Sequence, residues 1–82
     1  MGDTERKIIQ YMRMYGSITD EDARNMRYSN RLGARIYDIR QKGIDIIALS
    51  EKNTHNNGQH ARYSLAQSEL NSKLLKEYGY IE

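Results

Sequence analysis

The chain has 82 residues, 38% of them hydrophobic, and a formal net charge of +2; that is one small domain with a thin core. It contains no Cys, Trp, Phe or Pro, which excludes disulfides, a thiolate metal site and a thiol nucleophile. Tyrosine, with seven copies, is the only aromatic, so several tyrosines are expected in the core.

The opening stretch MGDTERKIIQYMRMYG is charged and amphipathic, unlike a signal peptide. Arg6 stands where a myristoylation motif wants Ser or Thr. No run approaches the roughly 20 apolar residues of a membrane span. A cytoplasmic protein without membrane contact is expected. A first helix is predicted from Asp3 or Thr4, with Ile8, Tyr11, Met12 and Tyr15 at helical spacing and Ile9 widening the stripe. Gly16 terminates it. Ser17 and Ile18 suit a short extended segment. Thr19 with Asp22 three residues later resembles a capping box, and opens a second helix over about 20–26 with Ala23 and Met26 facing inward.

Arg27 and Tyr28 read as a turn and Ser29 as the next cap. A third helix is predicted from Asn30 to Lys42, ended by Gly43. At about 100° per residue, Leu32, Ile36 and Ile39 form its buried stripe, while Asn30, Ala34, Tyr37 and Gln41 point the opposite way. Arg31, Arg35 and Lys42 line one flank and Arg40 the other. After Gly43 the period changes. Residues 44–49 read as a strand, residues 50–60 as a long polar tip containing Asn57-Gly58, and Ala61, Tyr63 and Leu65 as the buried side of a return strand. A last helix over about 68–78 carries Leu70, Leu74 and Tyr78 in one stripe with Leu75 beside it.

Charge is concentrated rather than spread. Residues 24–42 hold Arg24, Arg27, Arg31, Arg35, Arg40 and Lys42 against Asp38 alone, whereas residues 1–23 carry five acids and three bases. A local cationic block of this kind is what a polyanion reads, or else one Arg-rich solvated helix face. The element order is helix, short strand, helix, tight turn, helix, β-hairpin. It predicts a mostly α fold with a small hairpin: a winged helix-turn-helix of three core helices and a wing over 1–66, with a C-terminal helical extension over 67–82. A helix about 10–12 Å across fits the major groove of duplex DNA, with phosphates at its margins.

The candidate DNA-binding residues are therefore Ser29, Asn30, Arg31, Gly33, Ala34, Arg35, Tyr37, Arg40, Gln41 and Lys42 on the third helix. Lys52, Asn53, His55, Asn56, Asn57 and Arg62 join them from the hairpin. No catalytic group, cofactor or metal is called for. His55 and His60 lie in a polar loop with Glu51 as the one nearby acid, a poor ligand set. Ser29 has no base to activate it. Asp20, Glu21 and Asp22 suit the positive end of a helix dipole. Asp38 either accepts from a cytosine amino group or pairs along the helix with Arg35 or Lys42; the intrahelical pairing is the favoured reading.

The stretch SNRLGARIYDIRQKGIDI, with ARYSL downstream, resembles a family of small phage and prophage helix-turn-helix domains. The residues that carry the likeness are Arg31, Leu32, Ala34, Arg35, Ile36, Asp38, Ile39, Arg40 and Gly43, with GSIT and Ala23 upstream; it covers about residues 5–65. It implies a DNA-binding domain of phage type: a transcriptional regulator, an excision factor or a replication accessory. Such folds also serve as phage-encoded inhibitors of host nucleic-acid enzymes, anti-CRISPR proteins among them, so a host protein partner for the same basic face is the alternative. Leu70, Leu74, Leu75 and Tyr78 would supply either a homodimer contact or packing back over the first helix.

Overall fold

The computed structural model describes residues 3–28, 31–54 and 56–81. Its elements are α1 (Asp3–Tyr15), β1 (Ile18–Thr19), α2 (Asp20–Asn25), α3 (Leu32–Gln41), β2 (Ile46–Lys52), β3 (Gln59–Leu65) and α4 (Glu69–Glu77). Four helices thus surround a small antiparallel sheet of order β1-β3-β2. The central strand β3 pairs Tyr63 with Ile18 on one side and with Ala48 on the other.

Aliphatic residues fill the core. Ile8, Ile9 and Met12 of α1 meet Leu32, Ile36 and Ile39 of α3, with Ile18, Ala23, Ile44, Ile46, Leu65, Leu75 and Tyr80 completing the cluster. Burying one such side chain contributes roughly 1.5–3 kcal/mol, so these few positions carry most of the drive to fold. Tyr80 is the one tyrosine buried there, while Tyr11, Tyr28 and Tyr63 pack partly against it. Tyr15, expected inside, is 64% exposed; it sits at the last position of α1, its ring tilted at 46° to that of Tyr11 with centroids 4.5 Å apart. Met26 is exposed too, because α2 ends at Asn25 and Met26 is its C-cap rather than an inward helical position.

The capping box forms as the sequence predicts. Thr19 Oγ1 accepts from the Asp22 amide at 3.2 Å, and the Asp22 carboxylate accepts from the Thr19 amide at 3.0 Å. This satisfies two orphan donors at the start of a helix only six residues long. Helix α3 starts at Leu32, two residues later than expected, with Arg31 as a cap that makes no side-chain capping bond. Ser29, assigned above as that cap, lies outside the described residues, as do Asn30 and His55.

The hairpin is longer in its strands and shorter at its tip than predicted. Pairing continues to Lys52 opposite Gln59, leaving six residues to turn, and the Asn53 amide closes the turn on the Gly58 carbonyl at 3.0 Å. Helix α4 is present, capped by Ser68, but its inward side is not the expected one. Asn71 and Leu75 are buried and Leu74 half-buried, while Leu70 and Tyr78 are exposed. The four-residue dimer stripe therefore loses Leu75 to the core. Among the described residues no helix is long and apolar enough to cross a membrane.

Candidate nucleic-acid interface

Helix α3 presents Gly33, Ala34, Tyr37, Asp38 and Gln41 to solvent, opposite its buried Leu32, Ile36 and Ile39. Tyr37 is the largest of these and is 62% exposed. The surface is narrow, mostly uncharged and rich in small or hydrogen-bonding groups. Strand β3 lies close to the start of this helix: a side chain at Gly33 would begin 3.9 Å from the Tyr63 hydroxyl. The hairpin therefore stands beside the first turn of α3, where a wing is needed.

The cations divide into two groups. Arg31 is exposed at the start of α3. Arg35 is half-exposed and pairs with Asp38 at 3.5 Å, the intrahelical partner expected from their spacing; Asp38 thus does not stand alone on the helix face. By contrast, Arg40, although exposed, donates to the Ile46 carbonyl at 2.7 Å, tying α3 to β2. Lys42 leaves the shoulder that helical phase gave it. Its ammonium binds the Glu5 carboxylate at 2.6 Å, donates to the Tyr80 hydroxyl and lies 5.0 Å from the Tyr80 ring centroid.

Tyr80 in turn donates to Glu5 Oε1 at 2.9 Å. Burial pushes the Glu5 carboxyl up, but the hydrogen bonds from Lys42 and Tyr80 and the ammonium charge outweigh it and hold the group below its ordinary range. Bonding to Glu5 and Tyr80 holds the Lys42 ammonium above its ordinary range. Burial, with the facing carboxylate, raises the Tyr80 phenol. Lys42 is thus the centre of a clasp between α1, α3 and the segment after α4.

The wing is organised by its own polar groups. Asn56 Oδ1 accepts from the Gly58 amide at 2.6 Å and from Asn53 Nδ2 at 2.9 Å, while Asn53 Oδ1 meets His60 Nδ1 at 2.5 Å. Asn53 and Asn56, offered above as groups for DNA, are thereby engaged in shaping the tip. Arg62 spans the base of the wing. It donates to Glu51 Oε1 at 2.9 Å and to Ser17 Oγ at 2.9 Å, anchoring the hairpin to the residue before β1. The hydrogen bond from Arg62 holds Glu51 below its ordinary carboxyl range, with burial opposing and His60 assisting. Lys52 and Asn57 remain exposed.

Of the residues named from sequence, the structure gathers Arg31, Gly33, Ala34, Arg35, Tyr37 and Gln41 on the exposed side of α3 with Lys52 and Asn57 on the wing. Lys42, Arg40, Arg62 and Asn53 are bonded within the molecule. Arg24 and Arg27 were counted in the basic block but left out of the site; both are exposed around the α2–α3 connection. The cleft between the start of α2 and the wing mixes Glu21, Asp22 and Glu51 with Arg24, Lys52 and Arg62. Among the described residues no group of three His, Asp or Glu side chains is placed to hold a metal ion.

The profile of the winged helix-turn-helix domain family matches residues 4–68. The chain belongs to that family, whose fold is one of DNA binding. No curated protein and no solved structure matches the chain.

Proposed function

We propose that this winged helix-turn-helix chain binds duplex DNA, with α3 in the major groove and the β2–β3 wing against the flanking backbone. The observation that supports this reading most is the exposed side of α3, where Ala34, Tyr37 and Gln41 lie beside the flank that carries Arg31 and the Arg35–Asp38 pair. Small and hydrogen-bonding side chains suit base edges, and cations at the margins suit phosphates. Tyr37 and Gln41 are the base-reading candidates; Arg31, Arg35 and Lys52 are the backbone ones. Ser29, Asn30 and His55 belong to the same proposal from the sequence alone. The role that fits best is that of a phage or prophage regulator, or an accessory factor in recombination or replication. One module of this size covers few base pairs, so a useful site carries two copies.

Selection of bound duplexes from a random pool tests this reading. The wild-type chain is expected to enrich a short motif. Tyr37→Ala is expected to change the preferred sequence more than the overall affinity. No enrichment by the wild type would remove the DNA reading and favour a protein partner for the same face, on which the exposed Asp38 would then be a contact.

A further inference from the structure

Three of the four helices end in the same way. Within two positions of the last helical residue the backbone turns left-handed, and the residue is glycine each time: Gly16 at φ 90 after α1, Gly43 at φ 89 after α3 and Gly79 at φ 77 after α4. Glycine is the usual occupant because a Cβ is strained there. Helix α2 departs from this pattern. Its left-handed residue is Arg27, at φ 58, and Arg27 is the one non-glycine residue at positive φ among those described.

The turn itself is well made. The Arg27 amide donates to the Arg24 carbonyl at 3.0 Å and the Tyr28 amide to the Ala23 carbonyl at 2.8 Å, the paired bonds of a Schellman motif. Ala23 lies in the core and Tyr28 packs against that core. Nothing in this arrangement needs the arginine. The Arg27 side chain is exposed. It makes no hydrogen bond or ion pair with any described residue. Glycine would serve the backbone better, and this chain uses it at the three equivalent places. Backbone strain that the fold does not require points to use of the side chain.

We propose that Arg27 contacts a DNA phosphate from the α2–α3 connection, beside the groove that α3 enters. The inference rests on the DNA reading above. Arg27 stands four residues before Arg31, the cap of α3, which keeps it within about 14 Å of the start of that helix. Phosphates lie on both sides of a helix seated in a major groove about 12 Å wide. A guanidinium on a short connection reaches one side while Arg31 and Arg35 serve the helix itself.

The test compares the wild type with Arg27→Gly and Arg27→Lys in the full chain. The readouts are thermal melting and binding to a duplex of about 25 base pairs, carrying the selected motif, at several salt concentrations. Arg27→Gly is expected to melt roughly 2–6 °C higher and to bind about fivefold to tenfold more weakly at low salt. Its dependence of log K on log salt is expected to be shallower by about 0.9, one phosphate contact. Arg27→Lys keeps the charge and the strain, so it should melt like the wild type and retain most of the affinity. Unchanged affinity and slope in Arg27→Gly, with the wild type binding normally, would overturn the inference and leave the DNA reading standing. A lower melting temperature for Arg27→Gly would also overturn it, by showing that the arginine serves the fold. A wild type without duplex affinity at low salt would overturn both.

Discussion

Whether a cation on a helix serves a ligand or the protein depends on what lies within reach of its tip, and Lys42 shows the difference. Its phase on α3 puts it with Arg31 and Arg35, yet its ammonium is held by Glu5 and Tyr80. Helical phase cannot reveal partners 37 and 38 residues away in sequence. The Arg35–Asp38 pair, three residues apart, was legible for the opposite reason: its geometry is local. The clasp has a pH signature. Glu5 is held below its ordinary value of 4.5, so its contribution is full above that pH and is lost as pH falls through the lowered value. Lys42 and Tyr80 are both raised, so their contributions are full at neutral pH and are lost only as pH rises through the alkaline range. Lys42→Met is expected to lower stability by roughly 1–2 kcal/mol at pH 7, since the pair is only partly shielded. The gap from the wild type should begin to narrow as pH falls below about 4.5 and close once pH has passed through the lowered Glu5 value, where the carboxyl takes up its proton and releases the lysine. Thermal melts of both proteins from pH 3 to 7 check this; parallel curves would mean that the clasp is not coupled to the fold.

At the scale of elements, reading was most reliable where a periodic apolar stripe or a local cap defines the element. Ile8, Ile9 and Met12, the Leu32–Ile36–Ile39 stripe and the Thr19–Asp22 box all form as their spacing requires. It was least reliable where burial is carried by a polar residue. Asn71 reads as a surface position, yet it is 2% exposed. Its side chain donates to the Asp45 and Ala66 carbonyls at 2.8 and 2.9 Å and accepts from the Asp45 amide at 2.6 Å. This one amide joins α4 to the residue before β2 and the residue after β3. Asn71→Ala strands two backbone groups, the Asp45 amide and the Ala66 carbonyl, and leaves the Asp45 carbonyl only its bond from the Ala66 amide; it is expected to destabilise the chain by about 2–3 kcal/mol. Urea denaturation measures this, and a loss below about 0.5 kcal/mol would show that α4 is held by its apolar contacts alone. The far half of the hairpin was misjudged for a related reason. Residues 50–52 and 59–60 carry no apolar alternation because neither face there reaches the core, so the strands extend beyond the signal that marks them.

For the whole molecule, the distribution of charge matters more than its total. A net of +2 gives little attraction at long range. The exposed arginines Arg24, Arg27 and Arg31 nevertheless gather around the α2–α3 connection, whereas the acids Asp20, Glu21 and Asp22 sit at the other end of α2. The order of residues along the short helix α2 produces this separation, although Arg24 also lines the cleft beside the wing with Glu21 and Asp22. The clasp at Lys42 and the anchor at Arg62 engage two further cations within the molecule; under the proposed DNA reading, Arg31, Arg35, Arg27 and Lys52 are the candidates for phosphate contact. That assignment fixes a number of contacts, and the number is measurable.

The most direct measurement is the affinity of the wild-type chain and of Arg31→Ala for a short duplex across a range of salt concentrations. With roughly four to five phosphate contacts, log K should fall against log salt with a slope near −4 for the wild type, and Arg31→Ala should bind more weakly with a slope shallower by about 0.9. A salt-independent affinity, or one that Arg31→Ala leaves untouched, would contradict the claim that this face of α3 meets DNA.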